Sequence, residues 1–154
     1  MIKIGEKLPK LTAASTKGAL SNKDFKGSFS VIYFYPKDNT PGCTTEGQDF
    51  RDLYNEFEKL NANIFGVSRD SIASHHKFIE KYSFPFPLIS DENESLCNVF
   101  DVIKDKNMYG KKVRGIERST FLFDKNGKLI KEWRKVKVAN HVAEVLEHIK
   151  KYCS

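Results

Sequence analysis

The run SFSVIYFYP, residues 28–36, narrows the choice of fold more than any other stretch of the chain. Its β-branched and aromatic residues show no polar alternation, which fits a strand buried on both faces, and Pro36 ends it. Such a strand needs partners at both edges and cover above and below. Phe50, Leu53, Tyr54, Phe57 and Leu60 follow at the i, i+3, i+4, i+7 spacing of an amphipathic helix, expected from about Thr44 to Leu60. NIFGVS reads as a second short apolar strand.

The remaining segments continue the alternation. Asp70 or Ser71 can cap a helix carrying Ile72, Phe78, Ile79 and Tyr82, which the prolines of SFPFPLIS end, with PLIS as another strand. Asp91 and Glu94 resemble a capping box before a short helix whose inward stripe is Leu96, Val99, Phe100 and Ile103. NMYGKKVRG reads as a loop. STFLFDKNGKLIKEW has two β-rich runs around Asn126-Gly127, a hairpin signal, and Val142, Val145, Leu146, Ile149 and Tyr152 mark a final amphipathic helix. The first 25 residues read as short edge strands or a hairpin. This order implies an α/β fold, a central mixed sheet flanked by helices on both faces. Right-handed crossovers bring the carboxyl end of the first long strand and the amino end of the next helix to one rim.

With 154 residues, 40% of them apolar, one domain over residues 1–154 is expected. No apolar run reaches signal-peptide or membrane-spanning length, so a cytoplasmic protein without membrane contact is expected. Cys43, Cys97 and Cys153 are odd in number and widely spaced, which fits neither a disulfide framework nor a zinc site, so reduced thiols and no metal are expected. The net charge of +6 is spread from Lys3 to Lys151 among acidic residues, which favours a solvated basic surface over a nucleic-acid site. A basic nucleic-acid-binding module stays as an outside alternative.

Cys43 falls where the first strand gives way to the first helix. Unpaired backbone N–H groups and the positive end of the macrodipole both favour a thiolate there. Thiols in such settings ionise at roughly pH 3.5 to 7.5, against about 8.5 when free. Thr40 lies three residues earlier across Pro41-Gly42, its hydroxyl able to fold back toward the sulfur, and Gly42 allows close approach to the backbone. Position alone is equally compatible with a small half-buried hydrophobe. Thr44, Thr45 and Glu46 follow, so no CxxC dithiol centre is present. Peroxide reduction and cysteine hydrolysis stay open. A hydrolase needs a histidine base, and His75, His76, His141 and His148 all fall on expected helices, where a structural role is favoured for each.

YFYPKDNTPGCTTE contains the PxxxTxxC pattern of peroxiredoxins at Pro36, Thr40 and Cys43, and it resembles the bacterioferritin comigratory protein branch, also called peroxiredoxin Q. MYGKKVRGIERSTFLFDKNGKL, residues 108–129, is similar to a downstream segment of the same branch. The resemblance implies a thioredoxin-like fold and a thiol-dependent peroxidase that reduces hydrogen peroxide and small alkyl hydroperoxides without metal, haem or flavin. It makes Cys43 the peroxidatic cysteine, Thr40 the hydrogen-bond partner of the peroxide and Arg118 the stabiliser of thiolate and transition state. Pro36 becomes the shield of the sulfur, with backbone amides near Gly42 completing the pocket. Glu46 and Trp133 are expected as supports one layer out.

The branch often places a resolving cysteine five positions after the peroxidatic one, which here is Gln48, or on the next helix, which here is Phe78 to Glu80. Neither region holds a cysteine. Cys97 is expected to pack half-buried on the third helix and Cys153 to sit on a fraying terminus, and either remains a candidate atypical resolving thiol. The expectation is a one-cysteine enzyme, a monomer or weak dimer, reduced by thioredoxin, glutaredoxin or glutathione. A thiol redox sensor using the same Cys43 is the alternative.

Overall fold

In the computed structural model, which describes residues 1–153, the alternation becomes a seven-stranded mixed sheet with helices on both faces. Strands β1 (Thr12–Ser15) and β2 (Gly18–Ser21) form the expected amino-terminal hairpin at one edge. Strand β3 (Phe29–Phe34) is buried at every residue, as its unbroken apolar run requires. It pairs in parallel with β4 (Ala62–Ser68) and antiparallel with β8 (Ser119–Phe123), so Ile32 lies between Phe65 and Phe121. Strand β5 (Leu88–Ser90) joins β4 to β1, and β9 (Leu129–Trp133) closes the far edge in the order β2-β1-β5-β4-β3-β8-β9.

The sheet separates two apolar cores. Alternation along β3 sends Val31, Tyr33 and Tyr35 to one core and Ile32 and Phe34 to the other. The first core receives Phe50 of α1 (Pro41–Asp52), Phe57 of α2 (Tyr54–Lys59), Phe78 of α3 (Ile72–Tyr82), and Val145 and Ile149 of α5 (His141–Cys153). The second is covered by α4 (Ser95–Phe100), through Leu96, Cys97 and Phe100, and by Ile2 and Leu8 of the amino-terminal segment.

Four expectations need correction. The helix expected from Thr44 to Leu60 begins at Pro41 and is two helices. Leu53, at φ −99 and ψ 6, leaves the helical region, and a tighter i→i−3 bond from Glu56 N–H to Leu53 O restarts the chain so that Phe57 still enters the core. Asp91 and Glu94 form no capping box: Asp91 accepts the N–H groups of Leu96 and Cys97 at 3.0 and 2.8 Å, whereas Glu94 turns outward onto Arg69 and Arg114. Ile103 does not belong to α4 but opens β6 (Ile103–Met108). NMYGKKVRG is not a loop: β6 pairs with β7 (Lys111–Ile116) in a separate hairpin whose turn is Tyr109-Gly110.

Candidate active site

The rim where β3 ends and α1 begins carries the candidate site. Thr40 is the residue before α1, in extended conformation (φ −96, ψ 156), and its carbonyl accepts the Thr44 N–H at 2.8 Å. Pro41 opens the helix with its φ already suited to it. Cys43 is therefore in the first turn, at 2% exposure. From the other side of β3 comes Arg118, immediately before β8 and pinned by Val136 N–H on its carbonyl at 3.0 Å.

Arg118 links two side chains of α1 across 72 and 75 residues of sequence. Its Nη1 donates to Glu46 Oε1 at 2.7 Å and its Nη2 to Cys43 Sγ at 3.4 Å. Cys43 and Glu46 are three apart and so share one helix face. Burial works against the guanidinium's charge, but the Glu46 carboxylate and the Cys43 sulfur more than offset it and keep Arg118 cationic. Glu46 is fully buried, and burial pushes its carboxyl up to about 7 despite the opposing pull of Arg118; its Oε2 has no partner. A Cβ at Gly42 would lie 3.1 Å from Arg118 Nη2, so glycine is what lets the guanidinium reach the helix end.

Pro36 is exposed and forms one wall of a cavity of about 390 Å³ with Arg118, Lys106, Glu117, Lys135 and Val136. It thus borders the approach to Arg118 from solvent. The Thr40 hydroxyl folds back onto the carbonyl of Lys37 at 2.8 Å, within its own turn; this corrects the expected direction toward the sulfur. With its hydrogen spent there, Oγ1 presents lone pairs to an incoming O–H.

Trp133 stands one layer further out. It meets His141 edge-on at 5.8 Å, and His141 Nε2 is 2.7 Å from the hydroxyl of Thr120, two residues after Arg118. Burial, with Arg118 adding to it, lowers His141 to about 4, so the ring that shares a hydrogen bond with the Thr120 hydroxyl is neutral.

The three thiols are apart. Cys97 is fully buried, not half-buried, in the core on the other side of the sheet. Cys153 is exposed beside Phe29 and Asp124, at the end of a helix that leads about 18 Å away from His141. Among the described residues no group of three or more His, Cys, Asp and Glu is arranged to hold a metal, and no helix is long and apolar enough to cross a membrane. Sequence reasoning passed over Asp38 and undervalued His75, which are buried together beside this rim; the only signal was a polar residue inside an otherwise tight turn.

Residues 4–132 match the AhpC/TSA family. The Bacillus subtilis protein Peroxiredoxin Bcp is 54% identical over 150 residues, covering 97% of this chain and 96% of that one. A solved structure of the Xanthomonas campestris bacterioferritin comigratory protein, described for its alkyl peroxide reduction activity, is 53% identical with a TM-score of 0.88, covering 94% of this chain and 92% of that one. A mutant of Xylella fastidiosa PrxQ superposes with a TM-score of 0.94 at 43% identity, over 100% of this chain and 99% of that one. The thioredoxin-like fold, the thiol at the helix start and these relatives agree: the chain belongs to the AhpC/TSA family, in its Bcp and peroxiredoxin Q branch, and is a thiol-dependent peroxidase that takes a peroxide substrate and a thiol reductant.

Proposed function

We propose that Cys43 is the peroxidatic thiol of a one-cysteine enzyme acting on hydrogen peroxide and small alkyl hydroperoxides, in line with the alkyl peroxide reduction activity of its X. campestris relative. The observation that carries this reading is the Arg118 guanidinium shared between Glu46 and Cys43 Sγ. A fixed cation at the sulfur stabilises negative charge there before substrate arrives, and the same group faces the charge that develops on the peroxide oxygens. Thr40 Oγ1 accepts the peroxide O–H and aligns the O–O bond with the sulfur. The thiolate attacks one oxygen, an S–O bond forms as the O–O bond breaks, and the electron pair leaves on an alkoxide or hydroxide that takes a proton. Pro36 and the Gly42 backbone limit the water that reaches the site. No step needs metal, haem or flavin.

The resulting sulfenic acid condenses with an external thiol, releasing water, and a second thiol frees Cys43. The placement of Cys97 behind the sheet and of Cys153 at the far end of α5 supports an outside donor over either as resolving thiol. Thioredoxin, glutaredoxin and glutathione are the candidate classes, acting on a monomeric or weakly dimeric single domain, residues 1–154, in the cytoplasm. Cys43→Ser abolishes peroxide reduction. Mass spectrometry after one equivalent of peroxide finds a dimedone-trappable sulfenic acid on Cys43; a Cys43–Cys97 or Cys43–Cys153 disulfide instead refutes the one-cysteine cycle.

A further inference from the structure

Asp38 and His75 are buried beside the reactive rim, and the chemistry above uses neither. Asp38 lies in the turn between β3 and α1 at 7% exposure, and His75 of α3 is fully buried. His75 Nδ1 is 2.7 Å from Asp38 Oδ2, and Nε2 is 2.9 Å from the carbonyl oxygen of Ile89. A carbonyl oxygen only accepts, so Nε2 carries a hydrogen. Asp38 already accepts the Tyr35 hydroxyl on Oδ1 at 2.6 Å and the Ser74 hydroxyl on Oδ2 at 2.8 Å. Donors on both oxygens favour the ionised carboxylate, so Nδ1 donates too. A histidine that donates from both nitrogens is an imidazolium.

The loop attached to this pair is the one that presents the substrate-binding atoms. Asp38 N–H donates to Asp70 Oδ2 at 2.9 Å, tying the turn to the segment between β4 and α3. Asn39, at φ 59, accepts from Lys81 Nζ at 3.3 Å and from the Tyr82 hydroxyl at 3.1 Å, near the far end of α3. Thr40 comes next, its hydroxyl on Lys37. The groups facing the imidazolium are thus Asp38 from the turn, Tyr35 from just past β3, Ser74 from α3 and the Ile89 carbonyl from β5, with Asp70 one hydrogen bond removed.

We infer that His75 is a positioning residue for peroxide reduction: as an imidazolium paired with Asp38, it clamps residues 36–40 to α3 and β5 and so sets where Pro36 and the Thr40 lone pairs stand relative to Cys43. The inference rests on Cys43 and Thr40 acting as proposed above. A small displacement of an aligning group costs rate out of proportion to its size, because the reacting atoms leave their attack geometry. The sulfur, held by α1 and Arg118, is not part of the clamp.

Three measurements decide it. Nitrogen-15 NMR of the histidine-labelled wild-type protein shows both His75 ring nitrogens protonated, with slowly exchanging hydrogens; a neutral tautomer overturns the proposal. In His75→Gln, stopped-flow oxidation of Cys43 by hydrogen peroxide slows roughly 10- to 100-fold, whereas alkylation by iodoacetamide, which needs the thiolate but not Thr40, changes less than about threefold. Asp38→Asn gives the same split. Equal losses in both reactions, or no loss with peroxide, reject the positioning role. Cys43→Ser is run beside them: peroxide reduction surviving there overturns the assignment of Cys43, while its loss leaves any failure of His75→Gln to count against the clamp alone.

Discussion

Cys43 and Cys97 stand at the same place in their helices and in opposite electrostatic surroundings. Each is the third helical residue, after Pro41-Gly42 in α1 and after Ser95-Leu96 in α4, and each is buried in a core. At Cys43 the nearest charged side chain is Arg118, with Nη2 3.4 Å from the sulfur. At Cys97 it is Asp91, whose carboxylate takes the cysteine's own N–H at 2.8 Å. Burial first, and then Asp91, push the Cys97 thiol far up, so it stays protonated and inert. The amides of a helix end are common to both sites. What distinguishes the two thiols here is the charged side chain that another strand or loop brings to each.

That contrast can be broken from either side, and the largest effect comes from the cation. Arg118→Ala lowers the rate constant for peroxide oxidation by about 10²- to 10³-fold, the cost of losing one donor aimed at developing charge, with thermal stability changed far less. Stopped-flow oxidation checks it, and a near-wild-type rate would end the comparison.

Glu46→Gln tests the carboxylate behind that cation. Glu46 rises from 4.5 to about 7 on folding, so the native state binds the extra proton across that interval. Its contribution is complete below pH 4.5 and is lost as pH climbs through about 7. Wild-type stability therefore falls by on the order of 3 kcal/mol from this group between acid and mildly alkaline solution, and the glutamine variant escapes that fall. Urea denaturation at several pH values measures the difference.

On the other side of the sheet, Asp91→Asn removes the anion from Cys97 and weakens the α4 cap. It costs about 1 kcal/mol in urea denaturation and leaves peroxide turnover intact. Cys97→Ala likewise destabilises by roughly 1 kcal/mol through a small cavity, with turnover supported by an added thiol unchanged.

The parts of this molecule that were legible in its sequence are those where burial imposes a pattern, whether an unbroken apolar run or a helical period. Strand β3 and the faces of α3 and α5 carry that mark, and Gly127, at φ +79, marks the turn between β8 and β9. The hairpin of β6 and β7 carries none, because Lys104, Asp105, Lys106 and Asn107 of β6 pair only with β7 and cover no core, so hydrogen bonding shaped it without an apolar pattern. The break at Leu53 was equally silent, since Phe50 and Phe57 keep a helical spacing across it. Cys43 and Thr40 could be found from their spacing and resemblance. The Arg118 bridge to Glu46 and the Asp38–His75 pair join residues 72 and 37 positions apart, a relation that local pattern does not contain.

A seven-stranded partition between two cysteines also has a temporal meaning. When a second thiol lies within reach, oxidised sulfur is captured by motion of its own chain, at a pace independent of what surrounds the enzyme. In the one-cysteine cycle proposed above, with Cys97 walled off behind β3, the waiting time of the oxidised enzyme varies inversely with the concentration of its donor. Each catalytic cycle then samples the reducing capacity of the solution, and a shortage of donor exposes Cys43 to a second peroxide and irreversible oxidation. The sheet that builds the fold thereby sets a clock that runs on the supply of thiols outside it.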